Sequence, residues 1–265
     1  RTIDRVLVSG HSKRGVASWI ATAVDPRILG AMPSGWLAGN APAFLEHKLY
    51  QWGPDYMPTG DPKGPAYITT ADQILYSQQP GWLDYNAFVD AYFFRELLVG
   101  KKILNTLGAN DPLYPFTYQP DFVTDLPAGN VSHLAVTNLG HGNGSIQQRE
   151  AWAMWLAHCL GSRQLTQVSH QVEYEGDRYI IEARVEAPAD NQVVQVNLCS
   201  LIDDDGSFLP SVLWNRRKMQ LGGPDLYRGE FVLPAGKHGA VFVEVKDLSR
   251  AGVPGRGVRL SQGHC

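Results

Sequence analysis

The strongest constraint in the sequence is the stretch VLVSGHSKRGVASWIATAV, residues 6–24. Residues 3–9 have the β-branched, apolar composition of a buried strand, and residues 14–24 the small and apolar residues of a packed helix. Gly10-His11-Ser12-Lys13-Arg14-Gly15 must turn the chain between them. Further strands are predicted at 28–34, 101–108 and 131–139, a short helix or loop at 115–129, and an amphipathic helix at 145–160. Strands alternating with helices imply an α/β fold with a mostly parallel sheet covered on both faces.

Two regions depart from that rhythm. Residues 36–98 are a long insertion rich in Gly, Pro and aromatic residues, recovering as a helix over 86–99. An insertion of this length in a compact domain is commonly functional, such as a lid. Its Trp36, Trp52, Tyr56 and Trp82 either line a substrate pocket or give the insertion a core of its own. From residue 164 to 265, alternating apolar and polar residues with regular turn signals predict a small all-β sandwich of immunoglobulin or fibronectin type. The boundary falls at 161–166, giving two domains, 1–163 and 164–265. Asp203-Asp204-Asp205-Gly206 reads as a hairpin turn.

Composition excludes several classes of function. With 23 Lys and Arg against 26 Asp and Glu and no basic block, no electrostatic footprint for nucleic acid is present. No run approaches the roughly 18 apolar residues of a helical membrane span. Cys159, Cys199 and Cys265 are too few and scattered for a disulfide framework or a zinc site.

A strand–serine–helix corner is the context of a nucleophile elbow, which lifts a serine hydroxyl above the sheet of an α/β-hydrolase-like fold. The usual pattern has glycine two residues after the serine; here Arg14 stands there and Gly15 follows. The alternative is an ordinary βα turn with an incidental serine. A serine hydroxyl needs a base to take its proton and an acid to orient that base. In this fold the chain order is Ser, Asp or Glu, then His, each after a strand. Asp111 follows the strand at 101–108 and His141 the strand at 131–139, so Ser12, Asp111 and His141 are the candidate catalytic residues. Asp121 and Asp125 are runner-up acids, Asp25 a turn residue, and His47, His133, His158, His170, His238 and His264 fall in less suitable places. The chemistry calls for no cofactor and no metal.

An acyl-transfer intermediate also needs donors for its oxyanion. The backbone N–H of Lys13 is the expected first donor. The Lys13 and Arg14 side chains either assist the oxyanion and bind the substrate, or are a solvated surface pair. The second donor ordinarily comes from a loop upstream of the elbow, so the chain is expected to be the C-terminal half of the fold, completed by an N-terminal polypeptide segment that also covers the strand at 3–9; the alternative is a genuinely minimal sheet.

The string SGHSKRGVASWIATAVDPRILGAMP, together with KKILNTLGANDPLYPFTYQPDFVTDLPAGNVSHLAVTNLGHGN, closely resembles the PhoPQ-activated pathogenicity-related proteins. The resemblance covers about residues 3–160 in order, and the β-rich tail agrees with that family's C-terminal extension. It implies an α/β-hydrolase-like fold with Ser12 as nucleophile, Asp111 as acid and His141 as base, and an exported or periplasmic location. The elbow is also loosely similar to that of glucuronoyl esterases, where an arginine follows the serine; here that position is Lys13.

The resulting expectation is a serine hydrolase acting on a small-molecule or glycan-linked ester, with amides less favoured. The alternative is a secreted binding or signalling protein on a hydrolase scaffold with a vestigial triad. A third reading makes the tail a carbohydrate-binding module with Trp214 and Tyr227 as stacking residues.

Overall fold

A computed structural model of the chain describes residues 3–36, 39–58, 68–118, 121–127 and 129–249, and the course of a strand at 254–259. It opens with β1 (Val6–His11), α1 (Lys13–Val24) and β2 (Ile28–Ser34), and adds β3 (Lys102–Gly108) and β4 (Val131–Val136) later in the chain. These four strands are parallel and adjacent in the order β1-β2-β3-β4. Their C-terminal ends meet at one edge: His11 lies beside Ser34, Ser34 beside Thr106, and Gly108 beside Val136.

Helices cover both faces. Ile103 of β3 points into a cluster with Trp19 and Ala23 of α1, while its neighbour Leu104 points the other way, to Ala151 and Trp155 of the helix Ile146–Cys159. β3 is therefore buried along almost its whole length, as a central parallel strand should be. The strand expected at 131–139 stops at Val136, and residues 137–145 form the loop into the Ile146–Cys159 helix.

The insertion contains α2 (Ala41–Trp52), α3 (Thr70–Ser77), α4 (Trp82–Val89) and a 3-10 helix (Ala91–Leu98). One helix over 86–99 was the expectation from sequence; the structure has two pieces broken at Asp90. Its carboxylate accepts the N–H of Tyr92 at 2.9 Å, capping the 3-10 helix, and those of Asn40 and Ala41 at 3.2 and 2.8 Å at the start of α2. α5 (Asp121–Thr124) is short, and α6 is the Ile146–Cys159 helix, opened by a capping box between Ser145 and Gln148.

The tail comprises β5 (Gln167–Glu175), β6 (Arg178–Glu186), β7 (Asn191–Asp203), β8 (Asn215–Lys218), β9 (Gln220–Gly223), β10 (Leu226–Val232), β11 (His238–Ser249) and β12 (Pro254–Arg259). β5-β6-β10-β9 form an antiparallel four-stranded sheet. Its Ile181, Val185 and Phe231 pack against Val196, Leu198 and Val243 of β7 and β11, a sheet-on-sheet core.

The strands from residue 164 on are joined to the parallel sheet. β12 pairs with β4, Val258 beside His133, so that β12-β11-β7-β8 continue the parallel strands into one eight-stranded sheet. The cause lies in β7, which is apolar on both faces. Val196 and Leu198 face the sandwich core, whereas Cys199 and Leu201 join Leu104, Leu134 and Trp155 in a core common to both regions. Trp214 belongs to that common core, 5% exposed, with ring centroids 4.7 Å from Phe116 and 4.9 Å from Phe242. It therefore has no free face for a sugar ring, contrary to the stacking role suggested from sequence, and Tyr227 packs against the sandwich core. Cys159 and Cys199 are free thiols, and Cys265 lies outside the described residues. No helix among the described residues is long and apolar enough to cross a membrane.

Candidate active site

Ser12 sits between β1 and α1 with φ 55° and ψ −123°. This backbone region is costly for a residue with a side chain, and such strain concentrates at functional sites. The surrounding structure holds it: the Ser12 N–H donates to the Ser34 carbonyl at 2.8 Å, and its own carbonyl accepts from Gly15 at 2.7 Å and Val16 at 3.2 Å. Gly10 is required by close approach, since a Cβ there would stand 2.2 Å from the Arg14 carbonyl oxygen. Gly15 is packed less tightly, a Cβ there standing 3.1 Å from the Ser34 carbonyl oxygen and 3.2 Å from Trp36. The two small positions of the corner are thus 10 and 15, and Arg14 is tolerated because its side chain is exposed.

Asp111 leaves the end of β3 and is 1% exposed, with one carboxylate oxygen accepting the Leu113 N–H at 2.8 Å. Its Oδ2 lies 2.8 Å from His141 Nδ1, and His141 Nε2 lies 3.0 Å from Ser12 Oγ. The His141 side chain is 20% exposed and that of Asp111 fully buried. Ser12, His141 and Asp111, singled out by chain order, are therefore brought into one hydrogen-bonded row. Of the acids and histidines set aside in the sequence, Asp25, His47 and His158 are engaged elsewhere, and the runner-up acid Asp125 is exposed. Asp25 pairs with Arg27 at 2.7 Å, which holds its carboxyl down to about 2. His47 bonds Gln51 and Thr117, and His158 bonds the Arg163 carbonyl. Lys13 and Arg14 begin α1 with exposed side chains. N–H groups in a helix's first turn have no intrahelical acceptor, so that of Lys13 is suited to an anion beside Ser12.

Several residues that shape the site escaped the sequence reading. His11 bonds Ser34 Oγ through Nδ1 at 3.2 Å, and its ring centroid is 4.8 Å from that of His141. Burial, followed by the charge of His141, holds its pKa below the usual histidine value. Its place between Gly10 and Ser12 was the available signal. Gly35, at φ +57°, lies under both rings: a Cβ there would be 2.5 Å from His11 Cε1 and 3.2 Å from His141 Cε1. Gln148, wholly buried, reaches the Gly142 carbonyl at 3.5 Å beneath the His141 loop.

Two asparagines tie the loops of Asp111 and His141 to the tail. Asn110 donates to the carbonyls of Pro210 and Val212 at 2.8 and 2.7 Å and accepts the Asn138 N–H at 2.9 Å. Asn138 in turn exchanges hydrogen bonds with the Trp214 backbone, at 3.1 and 2.8 Å. On the insertion side, the Tyr56 hydroxyl donates to the Pro112 carbonyl at 3.0 Å, and burial pushes it up to about 12. Lys48 is 2% exposed, donates to Gln73 at 3.3 Å, and is brought down to about 8 by burial.

Fold and site together define a mixed α/β protein with a serine, a histidine and an aspartate in a hydrogen-bonded row at the C-terminal edge of its parallel strands. The chain belongs to the PhoPQ-activated pathogenicity-related protein family, whose family model matches residues 1–203. That match runs through 161–166 to the end of β7, in keeping with the common core. No curated protein sequence matches the chain. Among solved structures it is similar over about a third of its length to the E. coli curli protein CsgC, at 14% identity, 35% of this chain, 95% of that one and a TM-score of 0.23. The ApaA protein from Bordetella pertussis gives 15% identity, 36% and 87% coverage and a TM-score of 0.24. Hypothetical protein PH1083 from Pyrococcus horikoshii gives 14% identity, 36% and 89% coverage and 0.21.

Proposed function

We propose that this protein is a serine hydrolase of the α/β-hydrolase type that cleaves esters through an acyl-enzyme on Ser12. The observation that carries the reading is the row Ser12 Oγ, His141 and Asp111, with both links within hydrogen-bond length, on a serine held at positive φ. Ser12 Oγ attacks the ester carbonyl carbon as His141 Nε2 takes its proton. Asp111 accepts the His141 Nδ1–H, which fixes the tautomer and stabilises the imidazolium. The oxyanion meets the Lys13 N–H. His141 then protonates the leaving oxygen as the tetrahedral intermediate collapses to the acyl-enzyme and alcohol. In the second half, His141 takes a proton from water, the hydroxide attacks the acyl carbon, and Ser12 leaves with that proton restored.

The substrate in this reading is a small-molecule or glycan-linked ester, and the place of action is the periplasm or the outside of the cell. β1 forms the edge of the sheet among the described residues, and a further strand from an N-terminal polypeptide segment on that edge would bring in the second oxyanion donor. The test is turnover of p-nitrophenyl acetate by the purified protein. The reading expects release of p-nitrophenol that Ser12→Ala loses. A Ser12→Ala variant that turns over at the wild-type rate overturns it, and a wild-type protein without turnover favours the binding-protein alternative.

A further inference from the structure

A second feature of the site is an open cleft of about 630 Å³ between α1 and the insertion. Its size falls within the range of small-molecule sites, roughly 300–1,000 Å³. Trp36, Phe44, Leu45, Trp82, Tyr85 and Tyr114 form its walls. Its floor is one face of α1, where Lys13, Val16, Ala17 and Ile20 follow the helical spacing that starts one residue after Ser12. The walls are ordered by mutual contact: Tyr114 lies 5.3 Å from Trp36 and 5.7 Å from Phe44, centroid to centroid.

The polar groups on the lining are largely committed to the protein. Asp90 accepts three backbone N–H groups, Asn86 donates to the Trp82 carbonyl, and Gln73 accepts from Lys48 and donates to the Ile68 carbonyl. Lys13, at the end nearest Ser12, is the cation on the lining. The rest of the lining is mainly apolar and aromatic, with Tyr76 and Tyr85 exposed to solvent. A sugar ring, which needs several partners for its hydroxyls, fits that chemistry poorly.

We propose that this cavity is the acyl-binding subsite and that it takes a bulky apolar acyl group, aliphatic or arylalkyl, in preference to acetyl. The proposal rests on the hydrolase reading for the word acyl, and on the cavity alone for the apolar ligand. The side of the scissile bond follows from the lining. A leaving oxygen must come to His141 Nε2 to receive its proton, whereas the cavity runs along α1 from Lys13, beside the expected oxyanion donor, and meets the His141 ring only through Tyr114, whose ring centroid is 6.0 Å away. The group that stays bonded to the carbonyl is the one directed along α1.

Two measurements test this, each with its own readout. In the first, kcat/KM is compared for p-nitrophenyl acetate, octanoate and 3-phenylpropanoate. Each methylene that leaves water for an apolar pocket is worth about fourfold, so acyl chains that bury the equivalent of about three or four methylenes should exceed acetate on the order of 100-fold. Ala17→Trp, which fills the cavity from an exposed position on α1, should bring that ratio close to one. In the second, octanoate and 3-phenylpropanoate are titrated into the Ser12→Ala protein while tryptophan fluorescence from Trp36 and Trp82 is followed. Saturable quenching that Ala17→Trp abolishes supports the cavity whether or not the protein turns over. Ser12-dependent hydrolysis with equal rates for all three esters and no quenching overturns the subsite while leaving the hydrolase reading standing. Quenching without any hydrolysis overturns the hydrolase reading while leaving an apolar ligand site.

Discussion

His141 Nε2 stands 3.0 Å from Ser12 Oγ although the two residues are 129 positions apart in the chain. The parallel register makes this possible, because the loops after β1 and β4 open at the same sheet edge. Asp111, leaving β3 between them in the chain, completes the row from the buried side at 2.8 Å. If its role is to hold the His141 tautomer, Asp111→Asn should reduce kcat by about 10⁴-fold with little change in KM. Steady-state kinetics on a p-nitrophenyl ester reads this directly, and a loss below tenfold would remove Asp111 from the mechanism.

Gly35 lies where no other side chain fits. A methyl group there meets His11 at 2.5 Å, and the φ of +57° is unfavourable for alanine. Gly35→Ala should destabilise the fold by about 1–3 kcal/mol and lower activity further by tilting the His141 ring. Urea unfolding and kinetics on the same preparation check the two effects.

How much of this was legible in sequence follows chain locality. The corner at Ser12, the strand before it and the helix after it are fixed by neighbouring residues, so Gly10, Ser12 and Gly15 could be read together. Asp111 and His141 stand out as candidates because each follows an apolar run in a set order. Asn110 and Asn138 carried no such mark: their partners at Pro210, Val212 and Trp214 lie 100, 102 and 76 residues away. The same holds for Asp90, whose bonds to Asn40 and Ala41 break a helix that periodicity runs through. The tail read correctly as antiparallel strands, but alternation along β7 does not say that both of its faces are covered.

The asparagine clamp binds the Asp111 and His141 loops to the tail, and under the hydrolase reading it would position both. Asn110→Ala should cost about 1–3 kcal/mol, because the carbonyls of Pro210 and Val212 lose their donor. It should also lower kcat more than it raises KM. An unchanged kcat in a folded variant would confine Asn110 to a structural role.

The pH dependence of stability has an acid limb from His11. Its folded pKa is held below the usual value, chiefly by burial, so below about 6.5 the unfolded chain takes up a proton that the folded chain resists. Stability is therefore lost as pH falls below that value, and His158, shifted the same way by burial, adds to the loss. Thermal unfolding at pH 7.5 and 5.5 should show a drop in Tm that is smaller in His11→Gln. An equal drop in the variant contradicts the assignment to His11.

Lys48 acts at the alkaline end. With its folded pKa at about 8 against an ordinary value of 10.5, the unfolded chain binds more protons between those values, and stability rises with pH across that window. At neutral pH the buried ammonium is held charged at a cost. Lys48→Met should raise Tm at pH 7, and its advantage should shrink by pH 9.5, as read by calorimetry.

The central claim is that Ser12 is the nucleophile, and covalent labelling tests it most directly. The purified protein is treated with a fluorophosphonate, its intact mass recorded, and the modified peptide mapped. The account predicts one adduct per chain, located on Ser12, absent from Ser12→Ala and strongly slowed in a His141→Ala variant. An adduct mapped to another residue, or labelling that persists in Ser12→Ala, would contradict it.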